Sequence, residues 1–495
     1  MSSLILAWLV LPLAAAFLAA LFTKTGRWLA IAIPLTSVCL TIWLQLNPSE
    51  LPLILMDSPG VALNLKTSQL GFLLLNGLVC SAVVLQIGSK PRHKLTWVLM
   101  LILHGALNSV YLAADLMSIY VAIELVAVTA FLLMIDLERR ATLWVAFRYL
   151  ILGDLAMILY DFGALLAYHT SGDFSLDAQA QFTSVTISLL VVGLLFKTGA
   201  FLTGFWLPLT HATAPTEVSA LLSSLVVTAG AAPLARLASQ SGETALLLMV
   251  FGAISLVIGV IAALVQTDIK RMLAWSTISQ MGYVLLAPAS AGLYALAHGL
   301  GKAALFLLAG RLPSRELARL QEGQMNWALG IPIGLASLSL IGMPGSIGYS
   351  AKALLSGSID PALANVVNWS GVGTAMVFAR FLPNSNHSAT LSLEQSRDSG
   401  DQPQSQPSAA AGLGTWLLIA AIPALPWLLG SKSGSPEAFA TSLLILGLGI
   451  GVERCLRGAI WGWTPPDFER FVDVIVAVGV TLLCSQLILW QLPSP

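Results

Sequence analysis

Again and again along this chain, about twenty consecutive residues pass with almost no charge. A helix that crosses the hydrocarbon core of a bilayer needs about 20 mostly apolar residues, because its backbone polar groups must all be satisfied inside the segment. Segments of that kind lie near 4–22, 28–46, 69–88, 95–112, 115–135, 142–168, 183–207, 214–235, 245–266, 272–289 and 290–310. Others follow near 326–355, 362–382, 413–430, 437–452 and 470–492, of which 437–452 is the shortest. Only 10% of the 495 residues are charged and 57% are hydrophobic, whereas soluble domains carry about 25% charged residues. A globular protein of this size cannot cover itself with so little polar surface. The expected fold class is all-α, a polytopic membrane protein with 14–16 transmembrane helices.

The few basic residues orient the spans. With the connections numbered in order, the odd ones hold Lys24, Arg27, Lys90, Arg92, Lys94, Arg139, Arg140, Lys270, Arg271, Arg311, Arg315, Arg319, Arg397, Arg454 and Arg457. The even ones hold only Lys66, Arg236 and Lys432. By the positive-inside rule the odd connections are cytoplasmic and both termini lie outside. One helix more or fewer would break the alternation. The opening MSSLILAWLVLPLAAAFLAALFTKTGR has no basic residue ahead of its apolar run, and Lys24 and Arg27 follow it. It is expected to be a retained first helix rather than an Ala-rich signal peptide. Net charge is zero, so no basic face points to nucleic acid. Cys39, Cys80, Cys455 and Cys484 are scattered without a CxxC pair or a metal-site spacing. No glycine pattern for a dinucleotide is present either, and no cofactor is expected in this chain.

One stretch is not membrane. Pro383–Gly412, rich in Ser, Gln and Pro with no apolar period, is expected to be a disordered cytoplasmic loop. Two spanning segments carry helix breakers. In KTGAFLTGFWLP, Gly199 and Gly204 follow Lys197; in LIGMPGSIGYSAKALL, Gly342, Pro344, Gly345 and Gly348 precede Lys352. Non-helical backbone at membrane depth is tolerated only where it lines a cavity or is buried in protein. A pair of interrupted segments, one in each half, points to an inverted-repeat transporter. Glycines that merely let helices pack closely would explain one break. Two breaks, each with a lysine, favour function.

Other ionisable residues within spanning segments are His104, Glu124, Arg148, Asp154, Asp161, His298 and Lys302. An ionisable group at membrane depth is expensive, and so is a functional candidate by default. Glu124 is the only acid between Asp115 and Asp136, and it suits either a structural ion pair or the tuning of a lysine. A desolvated ammonium releases its proton more readily and a nearby carboxylate restores it, so a mobile carboxylate loads and unloads a lysine. His298 and Lys302 are four residues apart, hence on one helix face, and form a candidate relay. His104 has no such partner and is assigned to packing. Asp154 and Asp161 share a face with Arg148 nearby, which fits a salt bridge as well as a relay.

These stretches resemble the antiporter-like proton-channel subunits of respiratory complex I, of its photosynthetic relatives and of Mrp-type multisubunit cation/proton antiporters. AADLMSIYVAIELVAVTAFLLM is similar to the family's fifth helix, with Glu124 at its key glutamate. FKTGAFLTGFWLPLTHATAPTEVSALLSS is similar to the seventh-to-eighth helix signature, with Lys197 at the channel lysine. DIKRMLAWSTISQMGYVLL and AHGLGKAALFLLAG resemble the tenth and eleventh helices, with Lys302 at the central lysine and His298 at a nearby histidine. IGMPGSIGYSAKALL resembles the broken twelfth helix, with Lys352 as its terminal lysine. The resemblance spans roughly residues 95–382. It implies two inverted five-helix repeats, 95–236 and 245–382, each a proton half-channel, between N-terminal helices 1–94 and, past the loop 383–412, C-terminal helices 413–495.

The resemblance also implies other membrane subunits as partners, in a complex I-like or Mrp-like assembly within an energy-converting bilayer, bacterial or thylakoid. Protons are the expected cargo, with Na+ an open alternative, and any redox chemistry belongs to partners. The chain departs from the pattern at Thr228, where many relatives have a lysine, and at Thr67, where many have an aspartate. Asp154 and Asp161 are additions. A water held by Thr228 and Ser224 is the expected substitute for the missing lysine. The expected proton path is Glu124, Lys197, His298, Lys302 and Lys352. Three parent assemblies stay open at this point: a quinone oxidoreductase, an Mrp-type antiporter, or a non-transporting anchor for an inorganic-carbon uptake partner.

Overall fold

The computed structural model describes residues 2–47, 51–56, 60–88, 91, 93–136, 139–322, 326–382, 412–431 and 434–460. The expected last span, 470–492, and the polar loop as far as residue 411 lie outside the described residues. All other expected spans are helical. Helices α1 (Ser2–Leu21) and α2 (Gly26–Leu46) precede two strands, β1 (Leu51–Met56) and β2 (Val61–Leu65). Then come α3 (Leu70–Ile87), α4 (Thr96–Leu112), α5 (Leu116–Met134), α6 (Arg140–Ser171), α7 (Ser184–Thr198), α8 (Trp206–Thr213), α9 (Thr216–Leu221) and α10 (Val227–Gln240). The second half holds α11 (Gly242–Leu264), α12 (Ile269–Leu286), α13 (Ala291–Ala309), α14 (Leu317–Glu322), α15 (Trp327–Ile341), α16 (Ile347–Gly357) and α17 (Pro361–Ala379). Helices α18 (Leu413–Leu428) and α19 (Pro436–Ile460) complete the described chain. Among the described residues, nine helical spans are long and apolar enough to cross a membrane, and five shorter apolar helices accompany them.

The all-α expectation misses one element. Between α2 and α3 the chain forms an antiparallel hairpin, pairing Leu51 with Leu65 and Leu53 with Leu63. Asp115 ties it down: one carboxylate oxygen caps α5 at the Ser118 N–H (2.7 Å) and the other accepts from Ala62 N–H (3.2 Å). The run LPLILM carries strand-compatible residues but is too short to span; it pairs with β2, which in turn bridges the 113–115 segment through Leu63 and Ala113.

At the centre stands α13, every residue of which but Leu293 is buried. It is apolar nearly all round, which is the pattern of a helix enclosed by others. Around it pack α3, α9, α12, α15, α16 and α18. His298 and Lys302 therefore sit at the middle of the molecule because their helix does.

Candidate functional site: a line of buried lysines

Two of the three lysines stand at helix ends inside the protein, and both ends are built alike. Helix α7 stops at Thr198 and α15 at Ile341, each followed by a glycine in the left-handed region, Gly199 (φ 70°) and Gly342 (φ 97°). In both, the N–H two residues past the helix returns to the carbonyl five residues back, Ala200 to Leu195 (3.3 Å) and Met343 to Leu338 (2.9 Å). This is the Schellman ending, which residues with a Cβ disfavour. Each sequence segment expected as one span, 183–207 and 326–355, is thus two helices around a break. The partial negative charge of a helix C-terminus attracts a cation. Lys197 lies in the last turn of α7, and Lys352 on α16 donates to the terminal carbonyl of α15, Ile341 O, at 2.7 Å.

Lys197 is 3% exposed, and its Nζ lies 3.4 Å from Glu124 Oε1 on α5. The pair the sequence suggested therefore forms. Gly153 on α6 makes room for it, since a Cβ there would stand 3.0 Å from Lys197 Nζ. Asp154 is close enough for its charge to act on both partners, and its Oδ1 is buried with no hydrogen bond.

At the centre, His298 and Lys302 share a face but do not bond each other. His298 Nε2 donates to Ser223 O at 3.2 Å, and a π-helical turn over Leu222–Val226 explains why that carbonyl is free. Val227 N–H bonds Leu222 O, five residues back, instead of Ser223 O. Such turns occur frequently at functional sites. With Nε2 committed as a donor, His298 Nδ1 is buried without a partner and can take a proton. Ser223 Oγ then meets Thr277 Oγ1 at 2.8 Å, next to Ser276, which bonds Lys302 Nζ. Lys302, 0% exposed, also donates to Leu273 O (2.8 Å) and lies 5.6 Å over the Phe378 ring. His298 and Lys302 are thus linked through Ser223, Thr277 and the Leu273 carbonyl, which accepts from both Thr277 Oγ1 and Lys302 Nζ.

From Lys302 towards Lys352 runs a polar line that the sequence reading missed. Tyr294 Oη donates to Gln280 Oε1 (3.1 Å), and Gln280 Nε2 to Thr374 Oγ1 (3.3 Å). Tyr283 stacks on Tyr294, donates to Ser370 Oγ (2.6 Å), and lies 5.2 Å beneath Lys352 Nζ. Ser276, Gln280 and Tyr283 recur at helical spacing on α12, and that stripe was the available signal. His211 was missed too: its ring stacks on Phe306 and both nitrogens are buried without partners.

Thr228 is held differently from expectation. Its hydroxyl donates to Leu225 O (2.7 Å) and accepts from Tyr111 Oη (2.7 Å). Ser224 donates instead to Ala220 O, because the π turn shifts the register that would have placed it beside Thr228. Thr67 lies just before α3, on a cavity lined by residues of α2, α3, α13 and α16 and by Leu429 and Ser431 just past α18.

A profile described as "NADH:quinone oxidoreductase/Mrp antiporter, TM" matches residues 113–379, more than half of the chain. A protein named NADH-quinone oxidoreductase subunit N, from Alkalilimnicola ehrlichii, is 31% identical over 279 residues, 50% of this chain and 57% of that protein. NADH-quinone oxidoreductase subunit 14 of Thermus thermophilus is 33% identical over 267 residues, 52% of this chain and 61% of its own. A Picosynechococcus NAD(P)H-quinone oxidoreductase chain 4 is 30% identical over 370 residues, covering 66% and 67%. The chain thus spans well under two thirds of the length of the first two relatives. In fold it is similar to a chain of the Mrp complex from Dietzia sp., with TM-score 0.71, 19% identity, and 95% and 99% of the two chains covered. A chain of an archaeal membrane-bound sulfane sulfur reductase gives TM-score 0.70 at 19% identity, covering 90% and 97%.

Proposed function

Since the chain belongs to the NADH:quinone oxidoreductase/Mrp antiporter membrane family, we propose that it is a proton-conducting subunit of a multisubunit membrane complex. Protons pass along Glu124, Lys197, His298, Lys302 and Lys352. The observation that carries this reading is Lys302, wholly enclosed at the middle of a spanning helix, with neutral oxygens and a ring face as its partners. An ionisable side chain enclosed at membrane depth, paired with another charge or with backbone carbonyls, is by default a candidate for an ion path or proton relay. A lysine left among neutral partners is placed to take and release a proton. The two breaks, 199–205 and 342–346, fit repeats 95–236 and 245–382 acting as two half-channels.

The relatives' names favour a quinone oxidoreductase as parent, and the likeness to the Mrp-complex chain is one of fold. In a quinone oxidoreductase the electrons and any cofactor belong to partner subunits; in an Mrp-type antiporter there is no redox step, and Na+ enters only if the complex exchanges it for protons. By the positive-inside rule both termini are on the non-cytoplasmic side. A single cysteine in place of Asp173 should then react with an impermeant thiol reagent only from outside, and reaction from the cytoplasm overturns the orientation. For function, the assembled complex in everted vesicles carrying Lys302→Ala should lose proton flux on the order of a hundredfold, the scale of one positioned proton carrier. Wild-type flux in that variant would sink the proposal and leave a membrane anchor as the reading.

A further inference from the structure

Beside the Lys197–Glu124 pair stands a third ionisable group that the proposed path leaves out. Asp154 lies on α6 next to Gly153, and a Cβ on Gly153 would stand 3.0 Å from Lys197 Nζ. The ammonium therefore rests against α6 at this point of the helix. Glu124 on α5 brings Oε1 to 3.4 Å from Lys197 Nζ, and its carboxyl is within hydrogen-bond reach of the Asp154 carboxyl. Asp154 Oδ1 is buried without a hydrogen-bond partner. Two acids and one base from three helices thus meet, with Glu124 between the other two.

The chemistry of that contact is restrictive. An ionised carboxylate can only accept hydrogen bonds, so two carboxyl groups bond each other only when one of them carries a proton. Like charges at that distance do not both ionise, and paired carboxyls in enzyme sites hold one proton between them for this reason. The surrounding titratable groups do not relieve the pair. Tyr120 on α5 and Tyr149 on α6 lie within reach of the charge of both acids, and Asp161, one face further along α6, acts on Tyr120 as well. Neither tyrosine can supply a positive charge, and Asp161 adds a negative one. Two carboxylates against the single ammonium of Lys197 would leave a net charge at membrane depth, which is costly. One proton shared by the two acids makes the three touching groups neutral.

We infer that Glu124 and Asp154 share one proton beside the Lys197 ammonium, so that Asp154 turns the ion pair into a store of two protons on the conduction path. The inference rests on the chain conducting protons. In the loaded store Lys197 is an ammonium and one acidic proton lies between the carboxyls. Once Lys197 has given a proton to the path, the Glu124 O–H breaks and a new N–H forms on Lys197 Nζ, across the 3.4 Å contact. Glu124 and Asp154 are then both ionised. Their mutual repulsion draws in the next proton, which lands on either carboxyl and restores the store. One proton has entered and one has left. The line lacks a titratable side chain at Thr228 and carries an additional one at Asp154.

The test uses the whole complex in membranes and compares infrared spectra of wild type and variants at neutral pH, where free carboxyl side chains, which titrate at about 4, are ionised. The spectrum of Asp154→Asn should lack the carbonyl stretch of one protonated carboxyl that the wild type shows. Asp154→Glu keeps the pair and should keep the band. Glu124→Gln should lose it, because Asp154 is then left as the one acid beside Lys197 and ionises. A band unchanged in Asp154→Asn overturns the proposal, and a band that survives in Glu124→Gln places the proton on Asp154 alone and overturns the sharing. Proton flux in everted vesicles should fall on the order of tenfold in assembled Asp154→Asn and stay within a few-fold of wild type in Asp154→Glu. Undiminished flux in Asp154→Asn overturns the store. Lys302→Ala, run in parallel, separates the two ideas. If it loses flux while the carboxyl band is absent from the wild type, only the store falls; if it conducts normally, the path falls and the store's place on it falls too.

Discussion

The two halves of the molecule treat a buried lysine in opposite ways. In the first, Lys197 faces Glu124 at 3.4 Å with Asp154 nearby, and the path then reaches a threonine whose hydroxyl is committed to Leu225 O and Tyr111. In the second, Lys302 and Lys352 have no carboxylate partner among the described residues. Carbonyl ends, hydroxyls and the rings of Phe378 and Tyr283 surround them. A carboxylate stores the charge of a lysine in place; a neutral shell leaves the charge free to leave with its proton. On the proposed reading, the first half holds a charge and the second passes one on.

The largest effect should come from making the second half resemble the first. Phe378→Glu places a carboxylate where the Lys302 ammonium now meets a ring, and should trap it. Flux is expected to fall on the order of a hundredfold, while Phe378→Leu, which removes the ring but adds no charge, stays within a few-fold of wild type. Equal fluxes in the two variants would mean that the charge on Lys302 does not matter. Next, Glu124→Gln removes the storing group and should lower flux on the order of tenfold, read as acidification or its loss in vesicles. Breaking a buried ion pair also costs about 3–5 kcal/mol of stability, so assembly must be measured beside it. A variant that assembles and conducts normally would reduce Glu124 to packing.

Gly153→Ala tests the same pair without touching a charge. Its Cβ would meet Lys197 Nζ at 3.0 Å, so the ammonium must shift by a few tenths of an ångström. A loss of two- to fivefold, roughly 0.4–1 kcal/mol in a barrier, is expected; an unchanged flux would show that the position of Lys197 is not tightly set. The smallest effect belongs to Tyr111→Phe. It removes one neutral hydrogen bond, worth about 0.5–1.5 kcal/mol, and should lower flux about twofold at most while assembly is normal. If it abolishes flux, Tyr111 is a conductor rather than a holder of Thr228, and the contrast between the halves becomes one between a tyrosine route and a lysine route.

Much of this was legible in the residues themselves. The spans follow from length and apolarity, and the breaks at Gly199 and Gly342 from glycine in otherwise helical runs. Glu124 and Lys197 were legible because a charge is rare in a spanning segment. Those features are local, or stand out against an apolar background, so the chain order alone carries them. The hairpin at 51–65 was not legible, because it is short and its β2 strand is anchored by the remote segment around Ala113 and Asp115.

The sequence by itself determined a mostly helical membrane body, its interrupted segments and the ionisable groups that a bilayer interior makes costly. Only the tertiary structure decided what each of those groups meets. Ser223 O is available to His298 because a π turn skips it, and Thr228 is bound to Tyr111, 117 residues away in the chain. Gln280, Tyr283 and Tyr294 join the line because α12, α13 and α17 pack together. Uncharged polar side chains cost far less at membrane depth than charged ones once they are hydrogen-bonded, and so stand out less in composition. Their meaning lies in which partner the packing brings within hydrogen-bond reach, and that is a property of the folded chain.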